Sequence, residues 1–172
     1  MLKTKRPIRI LGLDPGTRFW GWALLENEEL HEHGVKTLKT KGSPKQRLIE
    51  ARKVFFRLLT DYGPQILIIE KPFLFWSKQS HLLNVIIKEI KDCAKKRRIK
   101  VYSLSPRTVK KIICKDGNAS KKDMAKILAA IFPDLNIHLN QNRRYKEVYW
   151  GHCFDAIGLG LCWWEKTASS KI

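Results

Sequence analysis

The stretch that most constrains the fold is residues 8–25. It holds two short apolar runs, over residues 9–13 and about 20–25, separated by a Pro-Gly pair. Two such runs around a Pro-Gly break predict a β-hairpin. Asp14 ends the first run, and a bare carboxylate is costly to bury. It therefore caps the turn by accepting backbone donors or binds a cation, and the residue alone leaves both open.

The apolar pattern downstream alternates between strand and helix periods. Expected strands and helices follow in chain order: a third strand at 31–38, a helix from the Ser43 cap to Tyr62, a strand at 66–69 buried on both faces, a helix around 83–94, a strand at 99–104, helices after Pro106 and Ser120, and a last helix over about 151–166. Residues 136–149 are polar and basic and are expected to form a mobile loop. This order predicts one α/β domain over residues 1–172, with a mixed sheet of about five strands flanked by helices.

The charge of the chain indicates its partner. It has 34 basic and 16 acidic residues, a formal charge of +18. Nucleic acid is the leading partner, because neutralising phosphates supplies most non-specific affinity. An anionic membrane is the rival, but no apolar run reaches the ~18 residues of a spanning helix. The four cysteines form no C-x-x-C pair, which disfavours a zinc site and fits a reducing, cytoplasmic setting.

Acidic residues stand at the ends of apolar segments in three places. Asp14 ends the first strand, Glu70 ends the 66–69 strand, and His152 and Asp155 lie three apart on one helix face. Converging on one sheet edge, they would suit magnesium or manganese. Two such ions can activate a water and stabilise the leaving oxygen of a phosphodiester. The alternatives are a solvated strand end for Glu70, a helix-dipole role for Asp155 and an ordinary surface position for His152.

Four short motifs occur in a fixed order. They are Leu-Gly-Leu-Asp-Pro-Gly-Thr at 11–17, Ile-Ile-Glu-Lys-Pro-Phe at 68–73, Ser-Pro-Arg-Thr-Val-Lys at 105–110 and His-Cys-Phe-Asp-Ala at 152–156. Together they resemble the RuvC family of Holliday junction resolvases, and order and spacing agree from residue 8 to about 163. The resemblance implies an RNase H-like fold and a structure-specific endonuclease that nicks opposing strands of a four-way DNA junction.

The same resemblance implies roles for single residues. Asp14, Glu70 and Asp155 would hold two Mg²⁺ ions, replaceable by Mn²⁺, and His152 would ligate one of them or orient the attacking water. Phe73 corresponds to an aromatic that inserts at the junction crossover. Contacts to DNA near the scissile phosphate are implied for Lys110 and Lys121, and DNA binding is implied for Arg107 in the basic segment at 105–110. From the residues alone, a packed loop aromatic and a solvated basic face are the alternatives.

The resemblance also bears on assembly and source. It implies a homodimer, here through residues 82–94, and branch-migration proteins as possible partners. The helix over residues 80–98 contains no glycine and ends in Lys-Lys-Arg-Arg, a departure from the family pattern that suggests a divergent member, of phage or organellar origin among the possibilities.

Three other functions compete with junction resolution. A related nuclease could act on RNA–DNA hybrids or flaps. Asp-Pro-Gly-Thr at 14–17 also resembles the phosphate loop of actin-like ATPases, but these need two such domains, and the chain has 172 residues and one motif. A non-catalytic DNA-binding protein would not need the acids, and all of them are present.

Overall fold

The computed structural model describes residues 7–39, 42–71, 78–139 and 144–169. The strands are β1 (Arg9–Pro15), β2 (Phe19–Glu26), β3 (Glu29–Thr37), β4 (Ile66–Glu70) and β5 (Lys100–Leu104). The helices are α1 (Pro44–Tyr62), α2 (Lys78–Lys96), α3 (Pro106–Ile113), α4 (Lys121–Ile131), α5 (Asn136–Leu139) and α6 (Arg144–Ser169), with one turn of 3₁₀ helix at Pro133–Leu135.

The five strands form one mixed sheet in the order β3-β2-β1-β4-β5. Strand β2 runs antiparallel to its neighbours β1 and β3, and β4 lies parallel to its neighbours β1 and β5. Strand β4 has a neighbour on each side and helices over both faces, which explains its continuous apolar run. The predicted mixed α/β sheet is confirmed.

Each face of the sheet is covered by its own group of helices. Helices α1 and α2 bury one side, with Phe55 and Ile86 packed against Leu13 and Leu67. Helices α3, α4 and α6 bury the other side, together with Ile10 and Ile68 of the sheet. Because strand side chains alternate between faces, residues 10, 12 and 14 of β1 point toward α6.

Two glycines let α6 lie directly on the sheet. A Cβ at Gly12 would collide with the carbonyl oxygen of Ala156, and a Cβ at Gly21 with that of His152. A side chain at either position would push the helix away from β1 and β2. These contacts fix where the residues of α6 stand above the strand ends.

The segment 136–149 corrects a sequence-based expectation. It is not one loop, because α5 spans Asn136–Leu139 and α6 already begins at Arg144, not at Gly151. Tyr149 continues the buried stripe of the helix one turn before Cys153, and its hydroxyl donates to the Val35 carbonyl at 3.2 Å. Gly151 interrupts the apolar pattern without ending the helix.

Helix caps and boundaries elsewhere match the sequence patterns. Ser43 and Ser120 each form a reciprocal capping box with the residue three positions on. The four cysteines are free thiols. Among the residues that the structure describes, no helix is long and apolar enough to cross a bilayer.

Candidate active site

The register of two parallel strands brings the first two acids together. Gly12 pairs with Ile68 and Leu13 with Ile69, so the next step of the ladder places Asp14 beside Glu70. Both side chains fall on the face covered by α6, which supplies Asp155. One carboxylate oxygen from each of Asp14, Glu70 and Asp155 lies within 4.8 Å of the others. Residues far apart in sequence thus form one acidic cluster.

Asp14 is only 7% exposed, and its carboxylate lies 2.6 Å from Nδ1 of His152. An ionised carboxylate can only accept hydrogen bonds, so Nδ1 carries the proton and donates it. The turn after β1 is closed by other groups: the Gly16 amide donates to the Phe19 carbonyl at 3.0 Å, and the Trp20 indole donates to the Gly16 carbonyl at 2.8 Å. The geometry therefore favours the cation-binding interpretation of Asp14 over turn capping.

Asp155 is paired with a lysine. Lys121 Nζ lies 2.5 Å from Asp155 Oδ2. Lys121 is the first residue of α4, where the capping box between Ser120 and Asp123 fixes the start of the helix. Lys121 therefore offsets part of the negative charge of the three acids, while His152 donates a hydrogen bond to Asp14.

The protonation of the cluster follows from its burial. Burial raises the pKa of Glu70 to about 8, and repulsion from Asp14 and Asp155 adds to the effect. Burial also raises the pKa of Asp155, with a further contribution from Asp14 and an opposing one from Lys121. The pKa of Lys121 is raised as well: burial lowers it, but attraction to Asp155 outweighs that. Three carboxylates this close cannot all ionise without added positive charge.

The alternative roles considered for Asp155 and Glu70 do not fit the geometry of the site. Asp155 lies about three turns inside α6, and the helix dipole acts only within the first turn. Glu70 is partly buried inside the cluster and is not a solvated strand end. The donor set, three carboxylates with an imidazole beside them, fits a hard divalent cation such as Mg²⁺ or Mn²⁺.

A cleft of about 250 Å³ opens beside the acids. Glu70, Asp155, Lys110 and Lys121 line it together with apolar residues of α3, α4 and α6. Both lysines that the sequence analysis proposed as DNA contacts therefore lie next to the acidic cluster. Arg107 is exposed in the first turn of α3, where its side-chain stem packs near Gly117, and it does not line this cleft. Phe73 lies outside the described residues.

A second groove next to the acids was missed at the sequence level. It lies between α4, α5 and α6, has a volume of about 550 Å³, and shares Lys121, His152 and Asp155 with the site. Lys122 and Lys126 on α4 also line it, one helical turn apart. The signal in the sequence was the helical spacing of residues 148, 151, 152 and 155, which the expected loop over 136–149 concealed.

Comparison with known proteins points to one family. A family model described as crossover junction endodeoxyribonuclease RuvC matches residues 10–144. The RuvC protein of Pelodictyon phaeoclathratiforme is 28% identical over 158 residues, which are 89% of this chain and 78% of that protein. The RuvC protein of Chlamydia caviae is 27% identical over 159 residues, which are 89% of this chain and 90% of that protein.

Solved structures show the same fold at low identity. Thermus thermophilus RuvC in complex with a Holliday junction substrate superposes with a TM-score of 0.76 at 18% identity, covering 95% of this chain and 97% of that one. The yeast mitochondrial Holliday junction resolvase superposes with a TM-score of 0.72 at 18% identity, covering 96% and 81%. The expected RNase H-like resolvase fold is confirmed.

Proposed function

Because the chain belongs to the crossover junction endodeoxyribonuclease RuvC family, we propose that it resolves four-way DNA junctions by hydrolysing phosphodiesters with two Mg²⁺ ions, for which Mn²⁺ can substitute. Members of this family are metal-dependent nucleases. The observation that carries the assignment is the convergence of Asp14, Glu70 and Asp155 within 4.8 Å at one sheet edge, beside a cleft lined by two lysines.

Each acid has a role that follows from its position. Asp14, Glu70 and Asp155 hold the metal ions, since their carboxylates are hard oxygen ligands on three rigid elements of the fold. Bound divalent ions supply an activated water and stabilise charge on the leaving oxygen. The hydrogen bond to Asp14 fixes the imidazole of His152, which would then ligate a metal or orient the attacking water through Nε2.

The two cleft lysines bind the substrate. Lys110 and Lys121 face the same cleft as Glu70 and Asp155, so a phosphate entering it meets positive charge within reach of the acids. Arg107 extends this basic surface along α3. The net charge of +18 attracts DNA of any shape, so junction selectivity must come from other features. We assign the probing of the crossover to Phe73, three residues after Glu70 in the sequence.

The decisive experiment compares several DNA substrates, and compares the wild-type protein with variants of the three acidic residues. The wild-type protein should cut a synthetic four-way junction in Mg²⁺ much faster than duplex, flap or RNA–DNA hybrid of the same length. Asp14→Asn, Glu70→Gln and Asp155→Asn should each abolish cutting while junction binding in Ca²⁺ persists, because lysine and arginine hold the phosphates. Asp61→Asn, at an exposed acid of α1 outside the site and outside α2, is the matched control and should cut normally.

Each rival function has its own outcome in this assay. Faster cutting of hybrid or flap would assign the site to another RNase H-like activity. Binding without cutting of any substrate would indicate a non-catalytic DNA-binding protein. An acid variant that cuts at the wild-type rate would remove that residue from the proposed site.

The proposal includes a homodimer, since paired nicks across a two-fold symmetric junction need paired sites. Of the apolar residues in α2, Ile86, Ile87 and Ile90 are buried in the core, whereas Leu82, Leu83 and Val85 keep exposed area and are available for a partner. Light scattering should give twice the chain mass for the free protein, and two chains plus one junction for the complex; a strict monomer, even at high concentration and with junction bound, would refute this part. A cytoplasmic location and interaction with branch-migration proteins complete the proposal.

A further inference from the structure

Gly151 has no structural reason within the described part of the chain to be glycine. Glycine destabilises a helix interior relative to alanine. Elsewhere a Cβ would meet neighbouring atoms, as at Gly12 and Gly21, or the backbone is left-handed, as at Gly63. A Cβ on Gly151 would have no described heavy atom within 4 Å, apart from its own helix backbone and chain neighbours. An isolated helical glycine facing open space is explained by an external group that approaches the backbone closely.

The open space over Gly151 is the groove of about 550 Å³ between α4, α5 and α6. Its two sides differ in chemistry. Lys121, Lys122 and Lys126 form a basic rim on α4, whereas Val148 and Trp150 add apolar surface on α6. Val148 is 54% exposed, so its side chain is accessible to a group that enters the groove.

The aromatic wall of the groove is braced from behind. The His138 ring stacks on Trp150 with centroids 3.5 Å apart and planes 18° apart. His138 Nε2 in turn lies 3.4 Å from His33 Nε2 on strand β3. The groove wall is therefore tied to the sheet, which favours binding without rearrangement.

The groove opens directly onto the acidic cluster, because Asp155 belongs to both. Lys121 and His152, which pair with Asp155 and Asp14, also line the groove. A group seated in the groove is thus attached to, or adjacent to, a phosphate at the acids. A basic rim with an apolar and aromatic wall fits a nucleotide, whose phosphate is anionic and whose base has an apolar face. The volume lies within the ~300–1,000 Å³ typical of small-ligand sites.

We propose that this groove holds one unstacked nucleotide of the cleaved strand, next to the scissile phosphate, with its base over Gly151 and against Val148 and Trp150. This inference rests on the proposed nuclease function and adds to it a site for base selection. A base inside duplex DNA cannot enter the groove without leaving its stack, whereas strained bases at a crossover unstack at lower cost. The nucleotide preference at the cut is then set by which base this groove accepts.

The first test fills the groove. Gly151→Leu should lower the rate of junction cutting about ten-fold or more, equal to ~1.4 kcal/mol and within the range for one stacked base. Mn²⁺ binding measured by calorimetry without DNA should stay unchanged, since the acids are untouched. Gly151→Ala should melt no lower than wild type and should cut more slowly. Thr60→Leu places the same leucine side chain at an exposed position on α1, across the sheet from the groove, and should cut normally.

The second test leaves the groove open and removes the base from the DNA. Junctions with a single abasic site, placed in turn at each of several positions around the cut, should be cut about ten-fold more slowly at one position by the wild-type protein. Gly151→Leu should be insensitive to the abasic site at that position, because its groove is already closed.

Four outcomes separate the possibilities. Slower cutting by Gly151→Leu together with one sensitive abasic position supports the inference. Wild-type rates for Gly151→Leu would overturn it, and so would an abasic series without effect at any position. A wild-type protein that cuts no junction would overturn the proposed function and this inference with it.

Discussion

Glu70→Gln separates the cost of a buried carboxylate from its role as a metal ligand. Burial raises the pKa of Glu70 from 4.5 to about 8, with Asp14 and Asp155 adding to the shift. The folded, metal-free protein therefore keeps this proton up to about pH 8, whereas the unfolded chain releases it near 4.5. Stability must fall as the pH rises through this window, because the unfolded state binds fewer protons there. Glutamine is neutral at every pH and resembles the protonated acid, so the variant lacks this loss.

The size of this stability loss follows from the interval between the Glu70 pKa in the unfolded chain and the pH of the measurement. From 4.5 to pH 7, at 1.36 kcal/mol per pH unit, the loss amounts to at most about 3 kcal/mol. Metal-free wild type and Glu70→Gln should have similar free energies of unfolding near pH 5. At pH 7 the variant should be the more stable by up to about 3 kcal/mol, although it cannot cut DNA.

The assay is urea unfolding in EDTA, followed by circular dichroism, at several pH values from about 5 to 8. Glu26→Gln is the control, because the same chemical change there removes a carboxylate that is paired with Arg9 at 2.7 Å, outside the cluster. It should show no gain of stability toward pH 7. Parallel curves for wild type and Glu70→Gln over the whole range would mean that folded Glu70 is already ionised, and would refute the burial argument.

Three further substitutions test separate parts of the proposal. Gly21→Ala should lower the free energy of unfolding by ~1–3 kcal/mol and weaken Mn²⁺ binding, because the new methyl displaces α6 at His152; calorimetry measures both. Lys121→Met should bind Mn²⁺ more tightly without DNA but cut junctions more slowly, because it removes a cation that competes for Asp155; unchanged Mn²⁺ affinity would contradict this. Phe73→Ala should cut about ten- to a hundred-fold more slowly with an unchanged melting temperature if its ring probes the crossover; a large drop in melting temperature would instead indicate a packed ring.

The acidic cluster could be predicted from the sequence because its first two members depend on local patterns. Asp14 and Glu70 each end an apolar run, and parallel pairing of those runs is enough to bring them together. Asp155 required the fold, since the approach of α6 depends on Gly12 and Gly21 touching its backbone. The hydrophobic periodicity of the sequence does not show that two strand glycines make room for a helix about 140 residues away.

The start of α6 and the groove were missed for one physical reason. Polar residues such as Lys146 and Glu147 lie on the exposed side of the first turns, so the helical stripe there is narrow and Gly151 interrupts it. Tyr149 helps to hold these turns in place, through the hydrogen bond of its hydroxyl to Val35 on a distant strand. Such long-range contacts override local preference, and they also create the groove wall that carries Trp150.

Metal binding at the acidic cluster should release protons. The cause is the burial of Glu70 and Asp155, which raises the pKa values of their carboxyl groups. Glu70 with a pKa of about 8, and Asp155 with a pKa raised above its ordinary value, hold protons that a cation must displace before their oxygens can coordinate it. Mn²⁺ affinity should therefore increase from about pH 6 to 8 and level off above. Calorimetry in two buffers of different ionisation enthalpy gives the number of protons released, and Glu70→Gln should release fewer than wild type at pH 7. A pH-independent affinity with no proton release would show that the carboxylates are ionised before the metal arrives, stabilised by Lys121 and His152 alone.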